Sequence, residues 1–268
     1  MNLLTDEERD VFRRLVEALR GAEHEFVIGG GQAARLLRLH PFARTLEWAP
    51  VLTSDIDIAS QAKGHRSSIA LDQAIERAGF SARFEGDDRP PRTHYVLGNA
   101  ELEFIVPDIA QRHPTGATVT VLGVSAQKVK NLEPLLFEPM TLDVEGVGTM
   151  RLPNPGAYIV QKTLTLSDRR TIAKKGKDAL YVHDAFQLFT TSAGQLHAHL
   201  VELGTRVLAT LTPKQLKRLK QNVERLGDPR SDLVIEASRQ AVGRLLLAEA
   251  AALTFRSSFR ELGVLPSA

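Results

Sequence analysis

The spacing of apolar residues changes along the chain, and each change marks an element. Thr5 and Glu8 are spaced as a capping box ahead of "VFRRLVEALRG", which reads as a helix ended by Gly21. "EFVIG" follows as a short strand, then the glycines, then a helix "QAARLLRLH" that Pro41 stops. A loop through Trp48 and Pro50 leads to "VLTSDIDIAS", where apolar and polar residues alternate as in a strand. A helix is expected over about 67–78, with Ser67 as its N-cap and Gly79 closing it. Strands then cluster. "FSARFEG" precedes "THYVLGNAELEFIVP", in which Gly98-Asn99 reads as a tight hairpin turn. "ATVTVLG", "PMTLDV" and "GTMRLP" are expected to continue that sheet. Beyond Pro153 and Pro155 nearly everything reads as helix. The pattern predicts an α+β domain over residues 1–152 and an all-helical domain over residues 153–268.

Composition narrows the picture without deciding it. The chain has 268 residues, 43% hydrophobic and 25% charged, enough for one large domain or two modest ones. Its formal charge of +2 permits an anionic partner but does not demand one. It has no cysteine, so disulfides and thiolate metal sites are excluded, and a reducing cytoplasm suits it. "MNLLTDEERD" is acidic and has no long apolar core, unlike a signal peptide. The most apolar run, "RLLLAEAAALTF", is too short to span a bilayer and contains Glu249. The expectation is a cytoplasmic protein with no membrane partner.

The glycine turn in "FVIGGGQAARLL" has two readings. Gly29, Gly31 and Ala34 fit the G-x-G-x-x-A fingerprint of dinucleotide-binding oxidoreductases. That fingerprint needs a full-length helix and a second parallel strand ending in an acid. Here Pro41 shortens the helix, and the next strand carries its acids, Asp55 and Asp57, inside it.

The second reading joins the glycines to "TSDID". Backbone N–H groups at Gly30, Gly31 and Gln32 would cradle phosphates at the helix start. Side chains at i and i+2 on a strand point to one face, so Asp55 and Asp57 sit side by side. Like charges that close need a cation between them. Hard oxygen donors suit Mg²⁺, or Mn²⁺ in its place. Two such ions can clamp an in-line displacement at phosphorus, which usually takes a third carboxylate. "AELEFIVPD" offers Glu103, on the opposite strand face from Leu102 and Phe104, with Glu101 on the same face as the backup.

The ordered set "GGGQAARLL … TSDIDIA … LEFIVP" resembles the DNA polymerase β-like nucleotidyltransferase superfamily over about residues 24–107. The resemblance implies a mixed sheet with flanking helices and a Mg²⁺-dependent enzyme that moves NMP from an NTP to an acceptor. That acceptor would be RNA or tRNA, a protein hydroxyl or a small molecule. Two departures stand out: a long gap from Gly31 to Asp55, implying an inserted loop around Trp48, and Glu rather than the commoner Asp at the third position.

The helical half adds "PNPGAYIVQKTLTLSDRRTIAKKGKDALYVHDAFQLF", read as two helices joined near Gly176, with Asp178 in the first turn of the second. Between Lys162 and Lys177 lie six basic residues and one acid, Asp168, a cluster able to hold a triphosphate or an RNA backbone. Lys162, Arg170, Lys177 and Asp178 match in order a pattern of the AbiEii-type toxin nucleotidyltransferases. That resemblance implies a phosphate contact for Lys162, a catalytic carboxylate at Asp178, a helical domain that completes the active site, and an antitoxin partner. Val51 and Tyr181 stand where that group often has Arg and Asp. A helix over about 213–226 carries five basic residues against Glu224 alone; it reads either as a helix that packs its leucines and solvates its charges or as a surface for RNA. A non-catalytic NTP- or nucleic-acid-binding module on the same fold is the competing class.

Overall fold

The computed structural model describes residues 3–62, 69–87, 89–108 and 118–266. They form two compact units. One takes the residues up to Leu39 together with Leu52–Pro153; the other takes His40–Val51 and the residues from Asn154 onward. The architecture is mixed α and β, with a helical C-terminal half.

In the first unit, α1 (Asp6–Ala18) begins at Thr5, whose hydroxyl accepts from the Glu8 N–H while Glu8 accepts from the Thr5 N–H. Such a cap stabilises a helix by about 1 kcal/mol. The Glu8 carboxylate also grips the buried Arg35 of α2 (Gly30–Leu36). Burial opposes ionisation of Glu8, and the Arg35 and Thr5 hydrogen bonds outweigh it, so its carboxyl titrates low.

The main sheet runs β1 (Phe26–Ile28), β2 (Asp55–Ser60), β5 (Ala100–Pro107), β4 (Arg92–Leu97), β3 (Ser81–Glu85). β7 (Val124–Val129) pairs in parallel with the last residues of β5, and β6 (Thr118–Val121) pairs with β7. β1 meets β2 antiparallel, whereas β2 meets β5 parallel. The antiparallel first pair corrects the dinucleotide reading, because that fingerprint sits in a parallel β–α–β crossover. One sheet face carries Ile56, Ile58, Leu102, Phe104 and Tyr95 into a core shared with Phe12 and Leu15 of α1 and Leu71 and Ile75 of α3 (Leu71–Arg77). β8 (Met140–Val144) and β9 (Gly148–Leu152) do not continue this sheet as expected. They form a separate hairpin whose apolar residues pack into the same core. The expected N-cap Ser67 lies outside the described residues.

The second unit is built on α4 (Pro155–Thr165), all of whose residues are buried, Lys162 included. α5 (Ile172–Leu188), α6 (Ala198–Ala209), α7 (Pro213–Leu226), α8 (Asp232–Gln240) and α9 (Ala248–Glu261) complete it. The α4–α5 joint lies before Thr171, which caps α5, and not near Gly176. Gly176 is inside α5, where any Cβ would strike Glu236 of α8. Asp178 therefore sits in the second turn of α5. The segment His40–Val51 is tied to the same unit. Arg44 Nε donates to Gln187 O at 2.6 Å, and Trp48 Nε1 donates to Asp184 at 3.3 Å beneath the Arg244 guanidinium. Among the described residues no helix is long and apolar enough to cross a membrane.

Candidate functional site

Strand period and strand register together gather the acids. On β2, Asp55 and Asp57 alternate with buried Ile56 and Ile58 and so share the face turned away from the core. Parallel pairing sets Asp55 opposite Glu101 and Asp57 opposite Glu103. The β4–β5 hairpin then sets His94 opposite Glu103. Four carboxylates and one imidazole thus occupy a single sheet face across three strands.

The glycine corner meets this face at Asp57. The Gly29 N–H donates to Asp57 O at 2.7 Å. Gly30 and Gly31 form the first turn of α2 rather than a turn ahead of it. Gly30 has φ +60°, and a side chain there would collide with the Asp57 carboxylate. Only glycine meets both conditions at no steric cost. Gln32 is buried, and its Nε2 donates to Thr53 O at 2.7 Å, pinning the segment that enters β2.

The electrostatics of the face are unbalanced. Burial and then the Asp57 charge push the Glu103 carboxyl above its ordinary range; His94 and Arg92 pull it down, and Asp55 adds a further push. A carboxylate made costly to ionise by its carboxylate neighbours has hard oxygen donors to offer a divalent cation. Carboxylates of this kind fit Mg²⁺ in chemistry, and Asp55, Asp57 and Glu103 would be its donors.

In the second unit the predicted residues fall differently. Lys162 Nζ lies 3.0 Å from Asp178 Oδ1, and both side chains are almost fully buried. The other oxygen, Oδ2, accepts from Arg169 Nε at 2.5 Å. Burial opposes ionisation of Asp178, but the charges and hydrogen bonds of Lys162 and Arg169 prevail and hold its carboxyl below the usual range. Arg170 is exposed, while Arg169 reaches Asp178. Lys177 lies 5.9 Å from the Tyr181 ring. On α7, Leu219, Val223 and Leu226 are buried; Lys214, Lys217, Lys220 and Arg225 are exposed, while half-buried Arg218 pairs with Asp168.

Two residues of these clusters were passed over in sequence. Arg169 had no signal separating it from Arg170. His94 had one: a two-residue turn at Gly98-Asn99 fixes the hairpin register, and counting back from it places residue 94 across from residue 103.

A family model described as a nucleotidyltransferase matches residues 11–202. No curated protein matches. Two solved structures are similar over most of the chain. A crystal structure of an antigenic nucleotidyltransferase-like protein from Paracoccidioides brasiliensis covers 81% of this chain and 94% of its own, at 19% identity and a TM-score of 0.39. The solution structure of the antibiotic-resistance factor ANT(2'')-Ia covers 74% of this chain and 91% of its own, at 20% identity and a TM-score of 0.36.

Proposed function

Because this chain belongs to the nucleotidyltransferase family, whose model spans most of it, we propose that it transfers NMP from an NTP to an acceptor hydroxyl in a Mg²⁺-dependent reaction. The observation that carries the reading is the register of Asp55, Asp57 and Glu103 on one face of β2 and β5, against the Gly30 corner. Asp55, Asp57 and Glu103 would hold the metal. Bound there, the ion would neutralise the carboxylates and stabilise charge on the phosphates.

The chain's own groups supply the rest. Backbone N–H groups at Gly30, Gly31 and Gln32 bind phosphate oxygens, with Gln32 also fixing the approach to Asp55. The acceptor oxygen attacks the α-phosphorus as the bond to the β-phosphate oxygen breaks, and pyrophosphate leaves. Glu103 takes the acceptor's proton. Of the two acids first considered, Glu103 is favoured over Glu101, which Arg83 holds at 3.0 Å. Lys162 is buried against Asp178, and this reading gives neither of them, nor Arg170, a part in the transfer. The acceptor classes stay those the resemblance implies: RNA or tRNA, protein, or a small molecule. A toxin role with an antitoxin partner is the narrowest version of the reading.

Incubation with α-³²P-labelled NTPs and candidate acceptors tests this. Wild-type protein labels an acceptor and Asp57→Asn does not. Labelling that persists in a folded Asp57→Asn refutes the assignment. A binding module on the same fold would instead hold NTP or nucleic acid without these acids, with affinity falling steeply in salt.

A further inference from the structure

The imidazole of His94 has no role in the chemistry just described, yet it is among the most buried polar groups of its unit. It is 3% exposed, and neither ring nitrogen has a hydrogen-bond partner. Both nitrogens nonetheless face carboxylates. Nδ1 lies 2.5 Å from Glu101 Oε1 and 3.1 Å from Glu103 Oε1, off the axis a hydrogen bond requires. Nε2 lies 3.4 Å from Glu85 Oε2 on β3. One donor atom from each of His94, Glu101 and Glu103 falls within 4.8 Å of the others.

We propose that His94 Nδ1, Glu101 and Glu103 form a second divalent-cation site, of mixed nitrogen and oxygen donors, that selects Mn²⁺ or Zn²⁺ over Mg²⁺. Three features support it. An imidazole donor favours borderline transition metals, whereas Mg²⁺ keeps to oxygen and water. The neighbours are arranged as they are around a ligating histidine, with Glu85 on the side of the second ring nitrogen to orient the ring. Arg83 Nη2 holds the other oxygen of Glu101 at 3.0 Å, leaving Oε1 turned towards His94. The site shares Glu103 with the proposed transfer site but holds whether or not nucleotide is transferred.

The test uses the full chain, treated with EDTA and titrated with Mn²⁺ alone, without NTP. Pulsed EPR of the bound Mn²⁺ should show coupling to a directly coordinated nitrogen, and Zn²⁺ should displace the ion. In His94→Gln the nitrogen coupling disappears and the Mn²⁺ dissociation constant rises on the order of tenfold or more. Glu101 is partly exposed, so Glu101→Gln keeps the fold if His94→Gln does not, and it should show a similar rise in the dissociation constant. Mn²⁺ bound with no nitrogen coupling overturns the proposal, as do coupling that survives His94→Gln and an affinity unchanged in Glu101→Gln. A nitrogen-coupled ion in a protein that labels no acceptor sinks the transferase reading alone. Labelling with no nitrogen coupling sinks this one alone.

Discussion

The two units treat their carboxylates in opposite ways. On β2 and β5, acids face acids, and Glu103 is pushed towards its neutral form. In α5, Asp178 is buried still more deeply, yet Lys162 and Arg169 hold it ionised. Depth of burial alone would have given the reverse order. The sign of the neighbouring charges decides: the first cluster gathers like charges, and the second carries its cations as side chains.

The largest effect should come from the first cluster. Asp57→Asn would remove a proposed metal donor, and losing several kcal/mol of charge stabilisation corresponds to about a 10³-fold or greater fall in labelling rate. Asn is nearly isosteric with Asp, so thermal unfolding of that variant without metal should still show a folded, cooperative protein. A large drop in its melting temperature would mean Asp57 is structural, and the contrast between the clusters would fail.

Breaking the second cluster should cost stability first. Lys162→Met strips one of the two cations from a buried carboxylate, at a cost of about 3–5 kcal/mol in urea unfolding. A cost under about 1 kcal/mol would show that Arg169 alone suffices. Next in size is the response to metal. At a Mg²⁺ concentration 100 times its dissociation constant, the protein should gain about 2.7 kcal/mol. Asp57→Asn and Glu103→Gln should lose most of that gain, and an exposed Arg170→Ala should keep it.

The pH dependences should have opposite signs. The folded Glu103 carboxyl is raised above the ordinary glutamate range, so its contribution favours the fold at low pH and is lost as pH rises through the folded value. Glu103→Gln should therefore be at least as stable as wild type at pH 7 without metal, with the advantage vanishing below about pH 4. The folded Asp178 carboxyl is depressed below 3.8, so its contribution is present above that value and lost as pH falls through the folded one. Asp178→Asn should thus flatten the acid side of the stability profile. The smallest effect is that of Arg170→Ala on stability, within about 0.5 kcal/mol, because the side chain is exposed.

The fold class was legible where local chemistry sets structure. The Thr5/Glu8 cap, the Gly98-Asn99 turn and the alternation in "DIDI" and "ELEF" each work within a few residues, and each is present as read. Where distant segments decide, the reading stopped short. "VSAQKV" gave no strand signal, yet it pairs with β5 as β7. "PMTLDV" and "GTMRLP" were seen as strands but not as a separate hairpin. The α4–α5 joint was misplaced because Gly176 resembles a breaker; it is an opening for Glu236 of α8, a neighbour supplied only by tertiary packing.

The sequence by itself determined which side chains could share a face, because a strand's two-residue period is local and independent of its partners. It could not determine which strand lies alongside, or in which register, because that depends on the free energy of burying the whole opposite face. Tertiary structure alone decided that Asp57 stands across from Glu103 and that Asp178 meets Lys162 and Arg169. A charge acts through distance and dielectric, and neither exists before the chain has folded.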